Sequence, residues 1–228
     1  MKEKAALRFC KDIGMFAVDR SRKSCQFRTK FCEKACFNNK LYRVFGHGMR
    51  PKDIRNDAYW ADLTGEKLHK TLSNKRHQTD RVRLMTRGEA IATHADLDKV
   101  IDIVKENPGR LVWVPTRAWR SPELRKRIEK ELQTLENARV LASLDPSNTR
   151  KEADSLKNSG WSTMFFGDNE TPIYPDESVK CPKTWDKTVS CPTCENGCFQ
   201  RSQVHVWFLV GRGLFSLRVA GSLVVALF

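Results

Sequence analysis

Apolar and polar positions change period several times between residues 81 and 166. Arg81–Thr86 (RVRLMT) is a short apolar run of strand length. In Asp96–Glu106 (DLDKVIDIVKE), Leu97, Val100, Ile101 and Val104 recur at helical spacing, and Asn107-Pro108-Gly109 ends the helix. Leu111–Pro115 (LVWVP) predicts a second strand. Ser121 then stands as an N-cap with Pro122 at the first helical position, and Leu124, Ile128, Leu132 and Leu135 share one face. Arg139–Leu144 (RVLASL), a polar helix at Arg150–Asn158 and Trp161–Phe166 (WSTMFF) complete the series. Strand–helix–strand repetition with short connections predicts a parallel sheet with crossover helices. Ile13–Val18 (IGMFAV) adds a strand before the series. The fold class is therefore α/β, either a partial (βα) barrel or an open parallel sheet of five strands.

The flanks differ in character. Residues 1–37 hold the first strand and a cysteine loop, and 38–78 form a polar helical insertion with Tyr42, Phe45, Tyr59, Trp60, Leu63, Leu68 and Leu72. Residues 79–170 are the repeating core, with 168–180 a loop rich in proline and acidic residues. Residues 171–203 form a second cysteine-rich segment. Residues 204–228 read as a final strand and an apolar tail, whose last run, Val219–Phe228, is too short to span a bilayer. A shifted reading frame at the end of the gene gives the same tail.

The eight cysteines sharpen this division. Cys10, Cys25, Cys32 and Cys36 precede the core; Cys181, Cys191, Cys194 and Cys198 follow it. Clustered cysteines in a chain of this length point to metal in a reducing compartment rather than to a disulfide scaffold. Cys25, Cys32 and Cys36 offer three thiolates, enough for a 4Fe-4S cluster with one iron open, unless Cys10 closes the site. Zinc is the alternative, with His47 an added ligand. Cys181, Cys191, Cys194 and Cys198 make a closed set that suits an iron–sulfur cluster or zinc, since Cys191-x2-Cys194 is a usable zinc knuckle.

Ligands of parallel β/α folds bind at the carboxyl ends of the strands. Just past the predicted strands come Arg87, Gly88 and Glu89, then Thr116, Arg117 and Trp119, then Ser143 and Asp145, then Asp168. Glu89 offers a carboxylate for an ammonium group. Arg117 and Arg120 flank Trp119, a set able to hold a phosphate and stack a base, or else a tryptophan packing the helix entrance. His69, His77, His94 and His205 lack metal-ligand spacing. No P-loop, G-x-G-x-x-G or Ser-His-Asp elbow is present, so the chemistry falls to the metal groups.

Charge adds a partner. With 41 Lys+Arg against 27 Asp+Glu, the net charge of +14 favours a nucleic acid or nucleotide over a merely solvated basic surface. The charged start, Met1–Arg8, is followed by no apolar stretch of signal length, so no signal peptide is expected, and the reading is a cytoplasmic protein with no membrane partner assigned. Oligomeric state is not legible.

The segments SCQFRTKFCEKACF, VRLMTRGEA, VWVPTRAW and VLASLDP, with Gly160-Trp161 and the final cysteine group, resemble the phage gene product 88-like proteins in order and spacing, from about Arg20 to about Phe208. A looser similarity is to radical S-adenosylmethionine enzymes. It implies that Cys25, Cys32 and Cys36 ligate the cluster, that Gly88 and Glu89 lie near the amino group of S-adenosylmethionine, and that Ser143 and Asp145 face that cofactor. Glu89, Arg117 and Asp145 are then the catalytic candidates, and an electron donor is a further partner. The departures are the loop spacing, C-x6-C-x3-C in place of C-x3-C-x2-C, and the missing first glycine of the G-G-E-like motif. The rival expectation is a non-enzymatic, metal-stabilised nucleic-acid-binding protein of phage or mobile-element origin.

Overall fold

A computed structural model describes residues 6–11, 13–75, 79–167, 178–182, 186, 188–191, 194, 196, 198–199 and 203–209. The strands are β1 (Arg8–Cys10), β2 (Met15–Val18), β3 (Arg81–Leu84), β4 (Leu111–Thr116), β5 (Ala138–Leu144), β6 (Ser162–Gly167), β7 (Val179–Lys180) and β8 (His205–Leu209). They form one open sheet in the order β1-β2-β3-β4-β5-β6-β8-β7. Every neighbouring pair is parallel except β1 with β2. The sheet is thus larger than the five strands expected, and it is mixed at one edge. β1 was not anticipated, and β7 lies at the end of the segment read as a loop. The loop's Asp168, and the tail beyond Leu209, lie outside the described residues, as does His77.

The helices are α1 (Lys30–Ala35), α2 (Phe37–Asp62), α3 (Gly65–Ser73), α4 (His94–Lys105), α5 (Pro122–Arg127) and α6 (Arg150–Asn158). Local chemistry sets their starts. Thr93 Oγ1 accepts from Asp96 N–H at 3.1 Å to cap α4, and Ser121 and Pro122 open α5 as predicted. Thr149 and Glu152 form a capping box on α6. Past Arg127, α5 runs on through one wider π turn, Ile128–Leu132, which keeps Ile128 and Leu132 in the core.

Alternation along the strands sorts side chains between two faces. Phe16, Val18, Val82, Leu84, Val112, Val114, Val140, Ala142 and Phe165 join the helices in the main core. Leu97, Val100, Ile101 and Val104 of α4 are buried there. The opposite face carries Met15, Trp113, Leu141 and Val206, and the C-terminal cysteine segment packs on it through Cys181, Cys191, Cys198 and Phe199. Arg83 lies over the Trp113 ring at 4.4 Å, and Arg81 over Phe199 at 4.8 Å. Arg139 Nε donates to the Phe199 carbonyl at 2.7 Å. Among the described residues, no helix is long and apolar enough to cross a membrane.

Candidate metal centre at the strand ends

β3 stops two residues short of its predicted end. Met85 turns to φ 66°, and Asp19, just past β2, takes over the freed backbone. Asp19 Oδ1 accepts from Thr86 N–H at 2.9 Å, the Thr86 hydroxyl at 2.6 Å and Arg87 N–H at 3.1 Å, while Oδ2 pairs with Arg8 at 3.2 Å. Burial alone would raise the Asp19 carboxyl, but the Thr86 hydroxyl and the Arg8 and Arg87 guanidiniums hold it below the ordinary aspartate value. Arg87 is spent here, its guanidinium 3.0 Å from Asp53. Nothing in the strand pattern flagged Asp19 as a positioning residue; its place immediately after an apolar run was the available signal.

The turn delivers Gly88 and Glu89 to the cysteine loop. Gly88 has φ +84°, and a Cβ there would sit 2.8 Å from Arg20 Cβ and from Ser24 Oγ. That closeness lets Glu89 N–H donate to Ser24 Oγ at 2.8 Å, while the Ser24 hydroxyl donates to the Ser21 carbonyl at 2.9 Å. The Glu89 carboxylate is buried and raised by that burial, against four opposing contacts. Oε1 accepts from the Thr116 hydroxyl at 2.8 Å and Ile91 N–H at 3.1 Å, and Oε2 accepts from Arg117 N–H at 2.9 Å. Three donors occupy about four acceptor positions, so Glu89 keeps room for one further donor on Oε2.

Arg117 links this carboxylate to the next strand end. Its Nη1 lies 2.8 Å from Asp145 Oδ2, and Asp145 is fully buried. Asp145 Oδ2 also accepts from the Thr29 hydroxyl at 2.5 Å, and Oδ1 from Ser147 N–H at 2.8 Å. Thr29 is the N-cap of α1, accepting from Cys32 N–H at 2.9 Å. The cysteine segment is therefore anchored twice, at Ser24 and at Thr29, on either side of Cys25. Cys32 lies inside a helix rather than in the loop expected, and Cys36 joins α1 to α2.

The three thiols share one environment. Burial first, then Glu89, Cys32 and Cys36, push the Cys25 thiol up to about 12. Cys32 is also raised, chiefly by burial, with Arg117 opposing and Cys36 and Asp145 adding to it. In the second group, burial and then Cys181, Cys191 and Cys194 push Cys198 up to about 12. Thiols raised in this way stay protonated unless a cation offsets the desolvation and mutual repulsion of their thiolates. Among the described residues, no three Cys, His, Asp or Glu side chains already stand in a metal-ligating arrangement.

Several expected residues fall elsewhere. Cys10 pairs with Met15, at the amino end of β2, on the face opposite the helices. It and Cys191 both act on Arg83. A strand's length separates it from the Cys25 loop, so it does not close that site. Trp119 is buried, with Nε1 donating to the Ser143 carbonyl at 3.1 Å; it packs the helix entrance and offers no face to a base. Arg120 lies 5.7 Å from that ring. His47 is exposed on α2, His94 Nδ1 meets Arg127, and His205 is buried against Thr163.

An open, mostly parallel α/β sheet with buried carboxylates and the Cys25–Cys36 segment at its strand ends defines the class. Residues 5–172 match the family model for gene product 88, and the chain belongs to that phage family. The match includes Cys25, Cys32, Cys36, Glu89, Arg117 and Asp145 and ends before Cys181. No curated protein and no solved structure matches the chain.

Proposed function

We propose that the chain is an iron–sulfur protein similar to radical S-adenosylmethionine enzymes, and that it modifies a nucleic acid or nucleotide. One observation carries the reading. Of the thiols following β2, Cys25 lies near Glu89, and Cys32 near Arg117 and Asp145, residues that follow β3, β4 and β5, while Cys36 lies near both thiols. Ligand chemistry in parallel β/α folds occurs at that edge. The consecutive order of β2 to β6, with helices on one face, is also that of a partial βα barrel.

Cys25, Cys32 and Cys36 would hold a 4Fe-4S cluster, leaving one iron without a protein thiolate. When bound, such a cluster supplies a single electron to a sulfonium and an open iron to a chelating amino acid. The remaining acceptor position on Glu89 Oε2 takes an ammonium hydrogen. Gly88 keeps the backbone beside it free of a side chain. Asp145 and Arg117 fix the thiol helix and the Glu89 carboxylate, and Ser143 lines the neighbouring strand end. Cys181, Cys191, Cys194 and Cys198 would hold a second cluster, or zinc, that supports the sheet face or passes electrons from a donor protein. This chemistry requires a reducing cytoplasm.

A second reading rests on Glu89 itself. Its carboxylate already accepts three hydrogen bonds, which suits a structural residue of a metal-stabilised, non-enzymatic nucleic-acid-binding protein. Anaerobic purification with iron, sulfide and zinc analysis separates the two, followed by dithionite and S-adenosylmethionine. The enzyme reading expects brown protein that releases 5′-deoxyadenosine. Fully reconstituted protein that releases none sinks it, and colourless zinc protein establishes the rival.

A further inference from the structure

The densest charge in the molecule lies beside the thiol loop. From Arg20 to Arg55, eleven of 36 residues are Lys or Arg, and two, Glu33 and Asp53, are acidic. Neither acid is available to offset the rest. Asp53 is buried against Arg87, and Glu33 pairs with Arg22 and Arg28. Lys30, Lys34, Arg43, Arg50 and Arg55 are exposed.

The same surface carries apolar groups in water. Val44 is 49%, Phe45 46% and Ile54 71% exposed. Phe45 sits at a kink in α2, with φ −125° and ψ 25°. A Cβ added at Gly46 or Gly48 would meet nothing within 4 Å, so the backbone there is open to a ligand. Beyond the kink, His47, Arg50, Ile54 and Arg55 recur at helical spacing on one side, while Met49, Asp53, Asn56 and Trp60 are buried on the other. Cations interleaved with exposed apolar groups, the Phe45 ring among them, suit a polyanion that also offers π faces. Arginines neutralise phosphates, and rings stack on bases. A duplex hides its base faces; a single strand presents them.

We propose that the exposed face of α2 around the Phe45 kink binds single-stranded nucleic acid and leads it to the Cys25/Cys32/Cys36 segment. The inference rests on the nucleic-acid part of the function proposed above. Phe45 is nine residues past Cys36, about 14 Å along a helix axis.

The test is fluorescence anisotropy with the full chain and a labelled mixed-sequence oligonucleotide, as single-stranded DNA, single-stranded RNA and duplex, across a salt series. Single strands of either sugar bind more tightly than duplex. The triple variant Arg43→Glu/Arg50→Glu/Arg55→Glu binds them roughly 100-fold more weakly. Its log–log salt slope falls by about 2, at about 0.7 per lost phosphate contact. Phe45→Ala binds about tenfold more weakly with its slope unchanged, as expected for one lost stacking partner. Far-UV circular dichroism verifies that both variants fold. Equal binding by wild type and triple variant overturns the proposal, as does a preference for duplex. Binding to phosphatidylglycerol vesicles without binding to oligonucleotides also overturns it. Iron content and 5′-deoxyadenosine release are read separately. Iron-free protein that grips single strands keeps this surface and loses the radical reading; iron-bearing protein indifferent to them does the reverse.

Discussion

The Thr29 hydroxyl donates to Asp145 Oδ2 at 2.5 Å across 116 residues of sequence, and the same Thr29 Oγ1 accepts from Cys32 N–H. One side chain thus caps the thiol-bearing helix and ties it to the end of β5. Thr29→Val removes both bonds and leaves Asp145 short of a donor. The cap contributes about 1 kcal/mol, and the buried acceptor about another 1 kcal/mol. Urea unfolding should show a loss of about 2 kcal/mol from these two terms, with Thr29→Ser close to wild type. A Thr29→Val chain as stable as wild type would remove Asp145 from the anchoring of α1.

Gly88 offers a sharper contrast. Alanine there meets both a left-handed backbone, φ +84°, and atoms of Arg20 and Ser24 at 2.8–2.9 Å. The backbone term alone is about 1–2 kcal/mol, and relieving the clash pulls Glu89 N–H off Ser24. Thermal denaturation should show Gly88→Ala strongly destabilised. Gly48→Ala, in helical α2 with open space around it, should gain about 0.5–1 kcal/mol. If the two alanines behave alike, close packing at the Gly88 turn is not what fixes that residue.

The sequence made the middle of the sheet legible because β3 to β6 are apolar runs separated by well-capped helices. It left the edges hidden. β1 has three residues and β7 two, too few for alternation to register. The strand ends were legible as a place, since Arg87, Glu89, Arg117 and Asp145 each follow a run. Their long-range contacts were not, because they join residues 27 to 116 positions apart. Cys10 was grouped with Cys25 by proximity in sequence. The antiparallel register with Met15 sends it to the other face, which no spacing rule reveals. Phe45 read as one of the apolar residues of a helical insertion packed on the core, and the kink leaves it in water.

Asp19 makes stability depend on acid. Its folded value is below the ordinary one, so its contribution is present above an unfolded value of about 3.9 and is lost as pH falls through the folded value. Asp19→Asn keeps an oxygen for Thr86 and Arg87 but turns an amide toward Arg8. At pH 7 the variant should lose about 2–3 kcal/mol, as for a broken charge-assisted buried bond. Chemical denaturation from pH 7 to pH 3 should give a shallower acid decline for Asp19→Asn than for wild type. Parallel declines would assign acid sensitivity to other carboxylates.

The two cysteine groups sit in different environments, the first at the strand ends beside Glu89 and Asp145, the second on the Trp113 face. Two independent metal sites therefore predict that Cys32→Ala loses only the first. Metal analysis after anaerobic reconstitution should show the first site's metal gone. Phe199 packs 5.4 Å from Trp113, so Trp113 emission should stay that of a buried indole. Loss of all metal from Cys32→Ala would mean one shared site.

Proton linkage tests the thiol cluster without any turnover. Cys25 is pushed from 9.0 to about 12, so in the metal-free fold it stays protonated where an unfolded chain would ionise. A raised value stabilises the fold fully below the unfolded value of 9.0, and that stability is lost as pH rises toward 12. Metal-free protein should therefore weaken in urea as pH rises through this window, and Cys25→Ser should weaken less. Below the window, iodoacetamide should label Cys25 more slowly in folded than in unfolded chain, since the thiolate is the nucleophile. Metal binding requires deprotonated sulfur, so adding ferrous iron to anaerobic, weakly buffered protein should release protons and lower the pH. Release that persists undiminished in Cys25→Ser/Cys32→Ser/Cys36→Ser would assign metal binding to the second group alone and leave the strand-end thiols without a ligand role.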